Sequence, residues 1–144
     1  IKQYTGFQIC THVILNLPGD TLVDARETAR ILTALGVDIV KLHSLYISPD
    51  TRLYEWYQAG EIALCSKEEY FERVITFLEQ IPETVAVERM FSRIPEKDAV
   101  FCNWGCSWWR LRDELLQKME EEGRYQGRCC DYLNGAALCL LKSE

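Results

Sequence analysis

Apolar positions in this chain switch between the period of a strand and the period of a helix. From Gln8 to Leu17 the text is Gln-Ile-Cys-Thr-His-Val-Ile-Leu-Asn-Leu. It is β-branched and mostly apolar, which predicts a strand buried on both faces. Pro18 and Gly19 give a turn signal. Leu22, Ala25, Ala29, Leu32 and Leu35 then recur at helical spacing and predict one apolar helix face. Asp20 or Thr21 caps that helix, Asp24 and Glu27 lie near its positive end, and Gly36 stands where a C-cap glycine belongs.

Val37 to Leu45 reads as the next strand, and Thr51 to Gln58 as a short helix ended by Gly60. Ser66 and Glu69 form a capping box, which opens a helix with Tyr70, Val74, Phe77 and Leu78 inward. Pro82 ends that helix, and Val85 to Arg89 is a third strand. Further on, Trp104 to Glu122 reads as one amphipathic helix with Trp104, Trp108, Leu111, Leu115 and Met119 inward, stopped by Gly123. Cys130 to Leu141 is a second, weaker helix.

Strand–helix–strand–helix–strand with apolar strands predicts an α/β fold with a parallel sheet. Such sheets carry ligand sites beyond the carboxyl ends of their strands. That edge comprises Asn16 to Asp20, His43 to Asp50 and Arg89 to Arg93.

The chain has 144 residues, 48% hydrophobic and 26% charged, which fits one soluble domain. Its formal net charge of −6 argues against a nonspecific nucleic-acid or membrane-surface role. No apolar run approaches the roughly 20 residues that a bilayer requires, and no signal peptide opens the chain. Beginning at Ile1, it reads as a piece of something longer. Seven unevenly spaced cysteines suit a reducing compartment, and a cytoplasmic location is expected.

The chemistry-bearing residues admit two readings each. His43, late on its strand, is either a ligand contact or proton donor, or a hydrogen-bonded interior histidine. His12 lies early on its strand and is read as packing. Trp104, Trp108 and Trp109 could stack a flat ligand, but packing is the favoured reading. Cys102, Cys106, Cys129 and Cys130 are read as buried thiols, with a zinc or auxiliary cluster site as the competing reading. No nucleophile elbow, phosphate-cradling glycine loop or zincin motif is present.

Thr11-His12-Val13-Ile14-Leu15-Asn16-Leu17-Pro18-Gly19-Asp20 resembles a strand and turn of radical S-adenosylmethionine (radical SAM) barrels, where the usual text ends Gly-Leu-Pro-Gly-Glu. Lys41-Leu42-His43-Ser44-Leu45-Tyr46 is similar to the following barrel strand. Thr51-Arg52-Leu53 stands in place of that family's Thr-Pro-Leu. Tyr57-x-x-Gly60-Glu61, Ser66-x-x-x-Tyr70 and Tyr125-Gln126-Gly127 follow in the expected order. This series resembles the YhcC-type radical SAM proteins, relatives of the Elongator-type radical SAM domain. Asn16 replaces the usual glycine and Asp20 the usual glutamate. Asn tolerates unusual backbone angles and Asp keeps the carboxylate.

The resemblance implies an enzyme whose 4Fe–4S cluster, held by Cys-x3-Cys-x2-Cys, reductively cleaves SAM to a 5′-deoxyadenosyl radical. It places the cluster ligands upstream of Ile1. Cys102 and Cys106 supply Cys-x3-Cys, but the third position is Trp109, so no residue of this chain is assigned as a metal ligand. The catalytic residues are left unassigned. The implied architecture is the later part of a parallel (β/α) partial TIM barrel over residues 1–100, followed by a helical C-terminal extension over 101–144. Asn16, Pro18, Gly19, Asp20, His43 and Tyr46 are the expected cofactor-binding positions, framing the SAM adenine. Backbone near Leu45 to Ile47 is expected to bond the adenine edge.

The expected partners are the upstream part of the same barrel and an unidentified substrate, with no membrane. Open sheet edges predict self-association of the isolated piece, which alone is not expected to turn over SAM. The alternative is a noncatalytic binding or scaffold module with a thiol or zinc site in its tail.

Overall fold

The computed structural model describes residues 5–131. Three strands form a parallel sheet in the order β1–β2–β4: β1 spans Cys10–Ile14, β2 Ile39–His43 and β4 Ala86–Arg89. Helix α1, Leu22–Leu35, joins β1 to β2. Between β2 and β4 run the two-residue strand β3, Tyr46–Ile47, and helices α2, Arg52–Gln58, and α3, Lys67–Gln80. Strand β5, Phe101–Cys102, pairs antiparallel with β3, and helix α4 spans Trp108–Glu121. The α/β class and the parallel sheet agree with the sequence pattern. The C-terminal helix expected over Cys130 to Leu141 lies almost wholly outside the described residues.

The helix starts are set by local chemistry. Thr21, not Asp20, is the N-cap of α1: its side chain accepts from the N–H groups of Val23 and Asp24, and Asp24 reaches back to Thr21 N–H at 2.8 Å. Ser66 and Glu69 form the same reciprocal box at α3. Gly36 closes α1 at φ 66°, a conformation that costs a side-chain-bearing residue about 1–2 kcal/mol.

The sheet is clothed on one side. Leu15, Val40 and Leu42 meet Ala25 and Ala29 of α1, Val74, Phe77 and Leu78 of α3, and Leu111, Leu115 and Met119 of α4 in one buried cluster. Two sequence expectations are corrected here. Strand β1 is not buried on both faces: Cys10, His12 and Ile14 are exposed, because the side of the sheet away from the helices stays open. In α1 the buried stripe is Ala25, Ala29 and Thr33, while Leu22 and Leu35 are exposed. The face of α1 that is buried carries the small residues, and Thr33 Oγ1 donates to Gln80 O at 3.3 Å.

Helix α4 begins four residues later than expected. Asn103 and Trp104 each have φ 52°, and Gly105 follows at φ 71°. Three consecutive left-handed residues make a tight turn and cannot continue an α-helix.

Candidate functional site

The carboxyl ends of the three strands are tied together by buried side chains. Asn16, just past β1, is 2% exposed, and its Oδ1 accepts Leu45 N–H at 2.7 Å. Past β2, Ser44 Oγ accepts Ser92 N–H at 3.0 Å, and Ser92 Oγ donates to Ser44 O at 2.6 Å. Asn103 completes the set: its Oδ1 accepts from Ser44 Oγ, and its Nδ2 donates to Ser92 O at 2.8 Å. This network joins the ends of β2 and β4 to the left-handed turn. Around it, Arg73 donates to Leu15 O at 3.2 Å and Tyr70 Oη to Met90 O at 2.8 Å. Sequence reasoning placed Ser44 and Ser92 in the strand-end edge but singled out neither, and it missed Asn103, because their partners lie 11 to 59 residues away.

Each expected site residue has a definite place. Pro18 and Gly19 are exposed in the β1–α1 turn. Asp20 closes that turn: its Oδ2 accepts Leu17 N–H at 2.9 Å, and its own N–H donates to Leu17 O at 3.0 Å. Tyr46 is 39% exposed on β3, opposite Cys102. Two of the backbone groups expected to meet an adenine already have partners: Leu45 N–H binds Asn16, and Ile47 O accepts Val100 N–H at 2.7 Å. Asn16 Nδ2, by contrast, is buried with no oxygen acceptor and has the Cys65 thiol as its polar neighbour. A thiol is a weak acceptor, so a stronger incoming acceptor is favoured there.

His43 lies on the open face of the sheet with His12. Their rings stack with centroids 5.2 Å apart, and His43 Nε2 is 3.3 Å from His12 Nδ1. The reading of His12 as packing is corrected: it is exposed and stacks on His43. Ile14 is opposite His43 and His12 opposite Lys41, so the longer imidazoles meet on the diagonal. Burial, then the charges of Arg89, His12 and Lys41, hold His43 below its ordinary pKa against the opposing pull of Glu88. His43 is thus a neutral imidazole at neutral pH.

Trp104 and Trp108 pack against the core, whereas Trp109 is exposed and the packing reading is corrected for it. Trp104 lies against Tyr70 and Phe101 and donates its indole N–H to Cys65 O at 2.9 Å. Trp108 carries the Arg93 guanidinium 3.9 Å from its ring centroid. Burial pushes the Cys65 and Cys102 thiols up. No three His, Cys, Asp or Glu side chains among the described residues are placed to share a metal ion. Cys102, Cys106, Cys129 and Cys130 join no group of three candidate metal ligands among the described residues, and the buried-thiol reading is corrected: Cys129 is exposed and the other three are half-buried.

Residues 37–121, more than half of the chain, match the radical SAM C-terminal domain family. The chain belongs to that family. It is 31% identical over 123 residues to an uncharacterized protein of Methanocaldococcus jannaschii, 28% to YtqA of Bacillus subtilis and 25% to YhcC of Escherichia coli. In each case the match covers 85% of this chain and 38 to 40% of the relative, so the chain spans about two fifths of those proteins' length. Among solved structures, the Elp3 protein of Methanocaldococcus infernus, bearing an N-terminal deletion, aligns over 88% of this chain and 29% of its own. The TM-score is 0.69 at 21% identity, a likeness of fold.

Several radical SAM motif residues are architectural in this structure. Ser66 caps α3 and Tyr70 clamps the end of β4. Gln126 Nε2 donates to Pro82 O and Val85 O, both at 2.8 Å, while Gly127 N–H donates to Leu78 O at 3.0 Å. Tyr125-Gln126-Gly127 therefore brackets the turn between α3 and β4, at the opposite end of the sheet from the strand-end loops.

Proposed function

We propose that this chain supplies the later strands of a radical SAM partial (β/α) barrel and frames the adenine of SAM at its carboxyl edge. The observation that carries the reading is the sheet itself. Its three strands are parallel, one face is clothed by helices, and its strand ends are braced by Asn16, Ser44, Ser92 and Asn103. A barrel closed from such a sheet turns the open face inward.

The strand-end residues fit a flat heterocycle with donor and acceptor edges. Asn16 offers a buried amide bonded to no oxygen, the turn at Leu17 to Gly19 offers exposed backbone, and Tyr46 offers a ring. They do not fit an iron–sulfur cluster, because no trio of suitable ligands exists among the described residues. The cluster cysteines belong to the parent protein, upstream of this chain. SAM bound to such a reduced 4Fe–4S cluster supplies a 5′-deoxyadenosyl radical. Here Asn16, Pro18, Gly19 and Asp20 position the base, and His43 and Tyr46 stand on the inner side.

The unpaired edge of β1 takes up the preceding barrel strand in the parent and drives self-association in the isolated chain. Light scattering at high concentration checks this: a clean monomer removes it. Anaerobic reconstitution of the longer parent tests the catalytic reading. The expected result is iron–sulfur absorption with 5′-deoxyadenosine formed from SAM, reduced several-fold by Asn16→Ala. Absence of both products, in a folded parent, sinks it.

A further inference from the structure

We infer that the open face of the sheet is an oxyanion-binding surface, with Arg89 as its charged donor beside the His12–His43 pair. The site lies on the open face at the carboxyl ends of β2 and β4, shares His43 with the adenine-framing reading, and requires neither the cluster nor SAM to bind an anion. It therefore goes beyond the adenine-framing reading.

The geometry begins with an irregularity. Val40 is opposite Val87, but Lys41 is opposite Arg89, so the register slips by one residue at Glu88. In a regular strand, Glu88 and Arg89 would point to opposite faces. A bulge sets two residues against one and re-aims their side chains. Glu88 reaches Lys41 Nζ at 2.7 Å on the open face, and Arg89 is brought against the same lysine's position and acts on His43 by its charge. Val87 and Met90, on either side, pack into the core. One slip thus places two consecutive charged residues on the uncovered side.

The charges there do not balance. Glu88 is paired with Lys41. The Arg89 side chain makes no hydrogen bond and no ion pair with any described residue, and its Nε is buried without a partner. A guanidinium is always charged, and its planar fork of five N–H donors matches the two oxygens of a carboxylate or the edge of a phosphate. The histidines favour the same ligand. Their mutual contact uses one nitrogen of each ring, leaving the pair one further N–H donor whichever tautomers are present. A cation would meet Arg89 and Lys41, whose charges oppose it. The ligand class is therefore a small oxyanion, a carboxylate or a phosphate group carried by the substrate.

The test uses the 144-residue chain, inorganic phosphate and acetate, with potassium chloride holding ionic strength constant. The C2–H resonances of His12 and His43 are followed by proton NMR. The expected result is a saturable shift with millimolar phosphate, acetate or both, together with a rise in the His43 pKa as the anion's charge arrives. Arg89→Gln should weaken that binding roughly ten- to a hundred-fold, the loss of a charge-assisted hydrogen bond. Arg89→Lys should retain part of it. Saturation by phosphate alone identifies a phosphorylated ligand, and saturation by acetate alone a carboxylate. Absence of a saturable shift in the wild-type chain overturns the inference, as does binding that Arg89→Gln leaves unchanged in a folded variant. Neither negative result touches the adenine-framing reading, which the SAM assay decides.

Discussion

Replacing Arg124 with alanine removes a guanidinium that meets three carboxylates, Glu79 and Glu72 closely and Glu122 at 3.4 Å. Its Nε and Nη2 meet Glu79 Oε1 and Oε2 at 3.1 and 2.9 Å, and its Nη1 meets Glu72 Oε2 at 2.7 Å. The side chains of Arg124 and Glu79 are only 16% and 9% exposed. Breaking a buried pair from one side costs about 3–5 kcal/mol, because a desolvated charge is left behind. Two partners survive and lower that figure: Arg128 still reaches Glu79 at 3.0 Å, and Lys118 still reaches Glu72 at 3.0 Å. Arg128 is 46% exposed, so its remaining pair contributes no more than about 1 kcal/mol. The expected loss is about 2–3 kcal/mol, or a Tm fall of roughly 6–12 °C in a chain of this size.

Urea unfolding followed by circular dichroism measures that loss, provided the m-value is unchanged. The pH dependence adds a second readout. Burial alone would raise the Glu79 pKa, but the hydrogen bonds and charges of Arg124 and Arg128 outweigh it and lower it. A lowered folded pKa means stability that is present above the unfolded value, near about 4.3, and lost as pH falls through the folded value. The wild-type and Arg124→Ala stability curves should therefore converge in acid. A loss below about 0.5 kcal/mol at pH 7, or curves that stay parallel into acid, would refute the reasoning.

Three further outcomes are expected. Asn103→Ala removes both side-chain bonds to the Ser44–Ser92 pair and leaves Cβ in a left-handed backbone, costing about 3 kcal/mol by urea midpoint; Asn103→Gly should recover about 1 kcal/mol of this. Tyr70→Phe keeps the ring packing but orphans Met90 O, costing about 1–2 kcal/mol in the same assay. Since the folded-state pKa of His43 is lowered, its contribution is full above the unfolded value near about 6.5 and is lost as pH falls through the folded value; a thermal-melt series from pH 7 to 5 should flatten in His43→Gln.

Signals carried within one turn or one strand were legible before the structure. The Ser66–Glu69 box and the Gly36 cap depend on neighbouring residues, and each is present. Signals that depend on a distant partner were not. The exposure of Leu22 and Leu35 follows from how α1 lies on α3. His12 joins His43 only through the β1–β2 register. Trp104 looked helical because its spacing to Trp108 is four residues, yet its backbone is left-handed, with its indole bonded to Cys65 O and its neighbour Asn103 bonded to Ser44 and Ser92 just past β2 and β4. Of the candidate site, the strand ends were visible as a class, whereas Arg89 required a register slip that no local pattern records.

The left-handed turn at Asn103 to Gly105 also bears on the order in which the chain assembles. A backbone of that hand is unfavourable for Asn103 and Trp104 until Ser44, Ser92 and Cys65 are already in place to hold it. The turn must then close after the sheet has formed and reopen before the sheet is lost. Substitutions there should quicken unfolding while leaving the refolding rate almost untouched, making the segment a latch rather than a nucleus.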